Sequence, residues 1–243
     1  MENLKAQVLA TALAMNASGI NRGSAGNVSA RCEGGFVITP TGMAYAECVA
    51  DDMVWLPLKD SSSPVGAGVQ CRLSTADPLL RRKAVLCETP ASPPPSQQRQ
   101  ASSEWRFHHD IYVAHPDAGA IVHTHSAFAT ALACHGLSIP AFHYMVARFG
   151  GDDVPCAAYA TFGTQELSDA IIAALKDRCA SLMAHHGMLV YGQNLKHALA
   201  LAIELETLAE QYWRALQLGQ PKLLPGDEMR RVLDKFAGYG QAK

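Results

Sequence analysis

His123-Thr124-His125 and the later His185-His186-Gly187 are the residues of this chain whose types and spacing could do chemistry. Two histidines two positions apart on an extended segment project from one side, because successive strand side chains alternate. A third imidazole from the His185-His186 pair completes three neutral nitrogens around a divalent cation with one position open, the donor set of a catalytic zinc site. Glu104, in Ser102-Ser103-Glu104-Trp105, offers a carboxylate that could hold or move a proton there. Each feature also has a plainer reading. An H-x-H pair serves equally well as hydrogen-bonding histidines in a half-buried strand. Ser102 or Ser103 could cap the helix that follows, with Glu104 at its positive end. The two readings are compatible, since a helix start flanked by hydroxyls also receives phosphate. His108, His109, His115, His135 and His197 read as structural or solvated.

These residues need elements to position them. Apolar periodicity predicts a helix from Leu4 to Ser18, ended by Gly19. A small-residue loop, Gly23-Ser24-Ala25-Gly26-Asn27, leads into a strand over Val28 to Arg31 with Phe36-Val37-Ile38 as its hairpin partner. Thr39-Pro40-Thr41-Gly42 is turn chemistry, and Asp52 to Leu56 reads as a strand. Both loops supply backbone N–H groups and short hydroxyls able to cradle an oxyanion, although most such loops are only turns, and neither is a Walker loop. Further on come a helix from Trp105 to Ala114, a buried strand from Ala120 to His125 and a helix from Ala127 to His135. A helix over Leu167 to Leu175 precedes paired strands, Ser181 to Ala184 and Met188 to Tyr191, around the His-His-Gly corner. Asn194 caps a long helix running to Leu218. Strands and helices mix without strict alternation, which predicts an α/β fold with a central, mainly antiparallel sheet layered with helices.

The 243 residues and 49% hydrophobic content support one domain, 1–243, with a sizeable core. A net charge of -2 excludes the basic footprint of a nucleic-acid binder. No run approaches the roughly 20 apolar residues of a membrane span. Seven cysteines without a C-x-x-C pair read as reduced thiols in a cytoplasmic protein, with no secretory leader expected. Residues 57–100 lack histidine and aromatic residues and end in a Pro/Gln-rich stretch, the composition of a disordered insertion.

The order of motifs resembles the class II aldolase/adducin family. The stretches that carry the likeness are the Gly-Ser-Ala-Gly-Asn loop, Ile38 to Gly42, Ser102 to His108, the His123/His125 strand, Ile139 to Met145, Tyr159 to Thr164 and His185-His186-Gly187. The resemblance implies that His123, His125 and His186 hold one Zn2+ per subunit, with His185 a neighbour and Glu104 the acid/base and a fourth ligand when substrate is absent. It places a substrate phosphate among Ser24, Gly26, Asn27, Thr41, Gly42, Ser102 and Ser103. It makes Tyr144, reaching into a neighbouring subunit of a homotetramer, the proton donor to the aldehyde oxygen, with Phe162 and Tyr239 lining the aldehyde side. The implied reaction is reversible cleavage of a ketose 1-phosphate, such as L-fuculose 1-phosphate, to dihydroxyacetone phosphate and an aldehyde such as L-lactaldehyde. Relatives on the same scaffold leave alternatives open: an aldolase for 5-deoxypentulose 1-phosphates, a pentulose-phosphate 4-epimerase, a dehydratase, a 3-oxo-acid 4-phosphate decarboxylase, or a non-catalytic adducin-like module.

Overall fold

The computed structural model describes residues 1–58 and 99–238. The expected insertion lies almost wholly outside the described residues, and Tyr239 lies outside them entirely.

Seven strands form one sheet among the described residues: β1 (Asn27–Cys32), β2 (Gly35–Ile38), β3 (Val54–Pro57), β4 (Ala120–Thr124), β5 (Cys156–Ala157), β6 (Ala180–Met183) and β7 (Gly187–Gly192). Their order is β3-β2-β1-β4-β7-β6-β5, antiparallel throughout except for the parallel β5–β6 edge pair. The helices are α1 (Glu2–Ala17), α2 (Trp105–Ala114), α3 (Ala127–Cys134), α4 (Gln165–Ala174), α5 (Leu195–Leu216) and α6 (Gly226–Ala237).

Strand alternation sorts the side chains into two cores. Val28, Val37, Val122 and Val190 join the core under α1, α3 and α5. Phe36, Ile38, Ile121 and Leu189 join the core with Phe107 and Ile111 of α2 and Leu167 and Ile171 of α4. Each fully buried Ile or Phe contributes roughly 2 kcal/mol. Covered on both faces, β4 and β7 are buried along their whole lengths, which explains their nearly continuous apolar sequences. On the α2 side the polar exceptions Asn27, Ser29 and His123 sit side by side, because β1 and β4 pair Asn27 with His123 and Ser29 with Ile121.

Where the segment containing Glu104 begins, the chain is in register with the Thr39–Gly42 turn: Thr41 N donates to Gln100 O at 3.0 Å and Ser102 N to Thr39 O at 3.0 Å. Arg99 Nε also meets Asp52 Oδ1 at 2.7 Å.

Two local expectations need correction, and one element was not expected. The strand predicted from Asp52 begins only at Val54, because the Asp52 carboxylate accepts from Val49 N at 2.8 Å and closes a 3-10 turn over Ala50–Asp52. Neither serine caps α2. Glu104 itself takes the N-cap position with no side-chain cap bond, while Ser102 Oγ accepts from Asn27 Nδ2 and Glu104 N. Finally, α6 lies beyond the elements expected from sequence. Its signature is nevertheless present: acidic Asp227 and Glu228 in the first turn after Pro225, then Met229, Val232, Leu233 and Phe236 on one stripe.

Candidate active site

His123 ends the row Asn27–His123–Leu189 across three paired strands. Its Nδ1–H donates to the Met188 carbonyl at 2.9 Å, which leaves the Nε2 lone pair facing outward. His125 lies one step past the end of β4, on the same side by alternation, with its Nε2 3.1 Å from that of His123. His186 comes from the β6–β7 corner, where His186 N donates to Met183 O at 3.0 Å. The residue between, His185, takes a positive φ of 55°, a turn conformation more usual for glycine. Glu104 reaches in from the start of α2, with Oε1 3.1 Å from His186 Nε2 and Oε2 3.2 Å from His123 Nε2.

One ligand atom from each of Glu104, His123, His125 and His186 lies within 4.8 Å of every other. The nearest pairs, 3.1 to 3.2 Å apart, come close to the spacing of about 3.4 Å expected between tetrahedral ligands with bonds near 2.1 Å. Glu104 Oε1 is buried and accepts no hydrogen bond, as a cation ligand would require. His185 stays outside the cluster, with its ring edge-on to Tyr159 at 5.9 Å. The four residues therefore fit a metal, three imidazole nitrogens plus a carboxylate oxygen.

Charge agrees with geometry. Burial pushes the Glu104 carboxyl upward, but the neighbouring His123 and His186 rings outweigh it and hold the group well below the usual carboxylate range. It is an anion. Burial, then the charges of His123 and His186, lower His125 to about 4, so that ring keeps its lone pair near neutrality.

A cavity of about 290 Å3 opens over this cluster, lined by Ser103, Glu104, His125, Tyr159, Phe162 and His186 among others. Phe162 stands at it, 65% exposed. Of the residues expected around a phosphate, Ser103 lines the cavity, and Ser24, Thr41 and Gly42 lie exposed in loops beside β1 and β2. Asn27 and Ser102 are buried, and Asn27 Nδ2 donates to Glu104 Oε2 at 2.9 Å and to Ser102 Oγ at 3.2 Å. Gly26 has a packing reason of its own: a Cβ there would lie 2.3 Å from the His123 carbonyl oxygen. Tyr144 is not brought to Glu104. It stacks on Phe236 with centroids 6.5 Å apart and lines a separate cavity with Arg148 and His197.

The model of the Class II Aldolase and Adducin N-terminal domain matches residues 6–213. The chain belongs to the class II aldolase family. It is 47% identical over 222 residues to the 5-methylthioribulose-1-phosphate/5-deoxyribulose-1-phosphate aldolase of Rhodospirillum rubrum, covering 91% of this chain and 86% of that one. It is 39% identical over 238 residues to the L-fuculose phosphate aldolase of Escherichia coli K12, covering 98% and 95%. A solved L-fuculose 1-phosphate aldolase superposes with a TM-score of 0.79 at 31% identity, covering 97% and 96%. As a class II aldolase the chain is a metal-dependent lyase, and the Glu104/His123/His125/His186 group is where its metal could bind.

Two supports of this aldolase site come from packing across the fold. Glu206 of α5 accepts from Ser126 Oγ at 2.6 Å, Phe128 N at 2.8 Å and Ala129 N at 2.9 Å, and so clamps the start of α3 directly after His125. No local pattern announces a cap supplied from 78 residues away. Gly187 is the other. A Cβ there would meet the Thr124 carbonyl oxygen at 2.3 Å and His125 Cδ2 at 3.1 Å. Gly187→Ala is expected to lower stability in denaturant unfolding by about 2 kcal/mol and metal affinity by about 10-fold. Unchanged unfolding and metal affinity would show that the ligand-bearing strands tolerate being pushed apart.

Proposed function

We propose that this aldolase reversibly cleaves a ketose 1-phosphate to dihydroxyacetone phosphate and an aldehyde, with one Zn2+ held by His123, His125 and His186. The observation that carries the reading is the convergence of three imidazole nitrogens and the Glu104 carboxylate at the base of one cavity. When bound, zinc supplies the positive charge that stabilises negative charge developing beside the substrate carbonyl. Glu104 delivers a proton to the carbon released by C–C cleavage, and removes it in the synthetic direction. To do so the carboxylate swings from its place among the imidazoles toward the cavity it already lines. Ser24, Thr41, Gly42 and Ser103, with the backbone N–H groups of their loops, anchor the non-reacting phosphate, so that binding there orients the reacting carbons.

Tyr144 takes the C4 hydroxyl proton as the aldehyde leaves. In this reading it serves a neighbouring subunit's site in a homotetramer, which agrees with its half-exposed place away from its own chain's cavity. Phe162 and Tyr159 give the aldehyde side an apolar wall. L-fuculose 1-phosphate and 5-deoxypentulose 1-phosphates share the dihydroxyacetone phosphate half and differ only where the aldehyde leaves. The 47% identity to the Rhodospirillum rubrum protein favours a 5-deoxy or 5-methylthio pentulose as the second reading.

A panel of ketose 1-phosphates offered to zinc-loaded protein, scored for dihydroxyacetone phosphate and the released aldehyde, tests both. Release from at least one is expected, and the aldehyde released fastest identifies the substrate. No release from any of them would overturn the proposal.

A further inference from the structure

Behind Glu104 runs a file of buried polar groups. Asn27 Nδ2 donates to Glu104 Oε2 at 2.9 Å, Asn27 Oδ1 meets His108 Nε2, His108 Nδ1 lies 2.7 Å from Ser29 Oγ, and Ser29 Oγ lies 2.7 Å from the Tyr112 hydroxyl. Asn27 is 3% exposed, His108 and Ser29 0% and Tyr112 1%, so the file is shielded from bulk solvent. The far end is anchored: the Arg31 guanidinium lies 4.8 Å over the Tyr112 ring and donates to the Tyr112 carbonyl at 2.6 Å.

One direction of donation satisfies the whole file. An ionised carboxylate only accepts, so the Asn27 amide must turn its NH2 toward Glu104 and its oxygen toward His108. That oxygen needs a donor, so His108 carries its proton on Nε2. Burial lowers the His108 ring to about 3, so it is neutral and has that one proton only. Its Nδ1 must accept from Ser29, whose oxygen accepts from Tyr112. Every donor points toward the carboxylate.

We infer that His108 is a positioning residue for the aldolase reaction: through the Asn27 amide it fixes the direction from which Glu104 is held. Without an N–H at the Nε2 position the amide oxygen loses that donor, and Asn27 is held toward Glu104 only by its own bonds to the carboxylate and to Ser102 Oγ, so it is less firmly placed. The inference rests on the role given to Glu104 above.

Glutamine at 108 places a donor where Nε2 stood, whereas asparagine reaches only the Nδ1 side. The expected result is a kcat about 10-fold below wild type in His108→Asn, with KM for the ketose 1-phosphate within about twofold and zinc content unchanged. In His108→Gln, kcat recovers to within about threefold, although both variants unfold at similar denaturant concentrations. Equal kcat in the two variants would overturn the inference, as would a loss confined to KM, which would assign Asn27 to the phosphate. The side-chain amide resonance of Asn27, assigned from its absence in Asn27→Ala, supplies an arm independent of turnover. Slow amide hydrogen exchange is expected in wild type and His108→Gln and fast exchange in His108→Asn; identical exchange overturns the inference. A wild-type protein inactive on every ketose phosphate would sink the functional reading instead, leaving the resonance to decide the orientation of Asn27.

Discussion

His123→Ala is expected to abolish metal binding and aldol cleavage together. The imidazole is fully buried, its Nδ1–H is committed to Met188 O, and its Nε2 is within 3.2 Å of both His125 Nε2 and Glu104 Oε2. Alanine therefore removes one ligand, frees the Met188 carbonyl from its partner and takes away the neighbour that most favours the Glu104 anion. Loss of residues that merely orient a metal ligand lowers affinity by 10–100-fold, so loss of the ligand itself should exceed about 100-fold. Chelator competition measures the affinity and the ketose 1-phosphate assay the activity. A His123→Ala protein that retained stoichiometric metal would remove His123 from the site.

The second large effect separates binding from chemistry. Glu104→Gln keeps the shape of the side chain and leaves the three imidazoles in place, so metal should be retained. An amide cannot shuttle a proton, and loss of a positioned general acid/base lowers turnover by about 10²–10⁴-fold. The corresponding partial reaction is exchange of the proton on the nucleophilic carbon of dihydroxyacetone phosphate, followed in deuterated water without any aldehyde. It should vanish in Glu104→Gln while metal content stays at wild-type level. Undiminished exchange would assign the proton transfer to another group.

Local signals reached much of this site. His123 and His125 were legible because β4 has a two-residue period and an apolar run on either side. The limits of α2 at Trp105 and Ala114 and the N-cap at Asn194 follow from patterns within a few residues. His108 is different. As one of a scattered set of histidines it reads as structural or solvated, yet the N-cap Glu104 and His108, Ile111 and Tyr112 of α2 follow one another at helical spacing, and all four are buried. The period was present in the sequence. What it lacked was any sign that Asn27 and Ser29 of β1 would lie opposite, 81 and 79 residues away.

The chain's own residue types determined that three imidazoles and a carboxylate were available, and that strands and helices of the right period would carry them. The residue types alone left open which of His185 and His186 turns inward; the family resemblance implied His186, and the tertiary structure supplies the reason, a corner held at positive φ and a glycine too close to Thr124 for any side chain. It also decided that Asn27 faces Glu104 and that Tyr144 points away from it. The physical reason is range. Periodicity and capping act over one or two turns of chain, whereas the direction of a buried hydrogen bond is set by whichever strand the sheet places beside it.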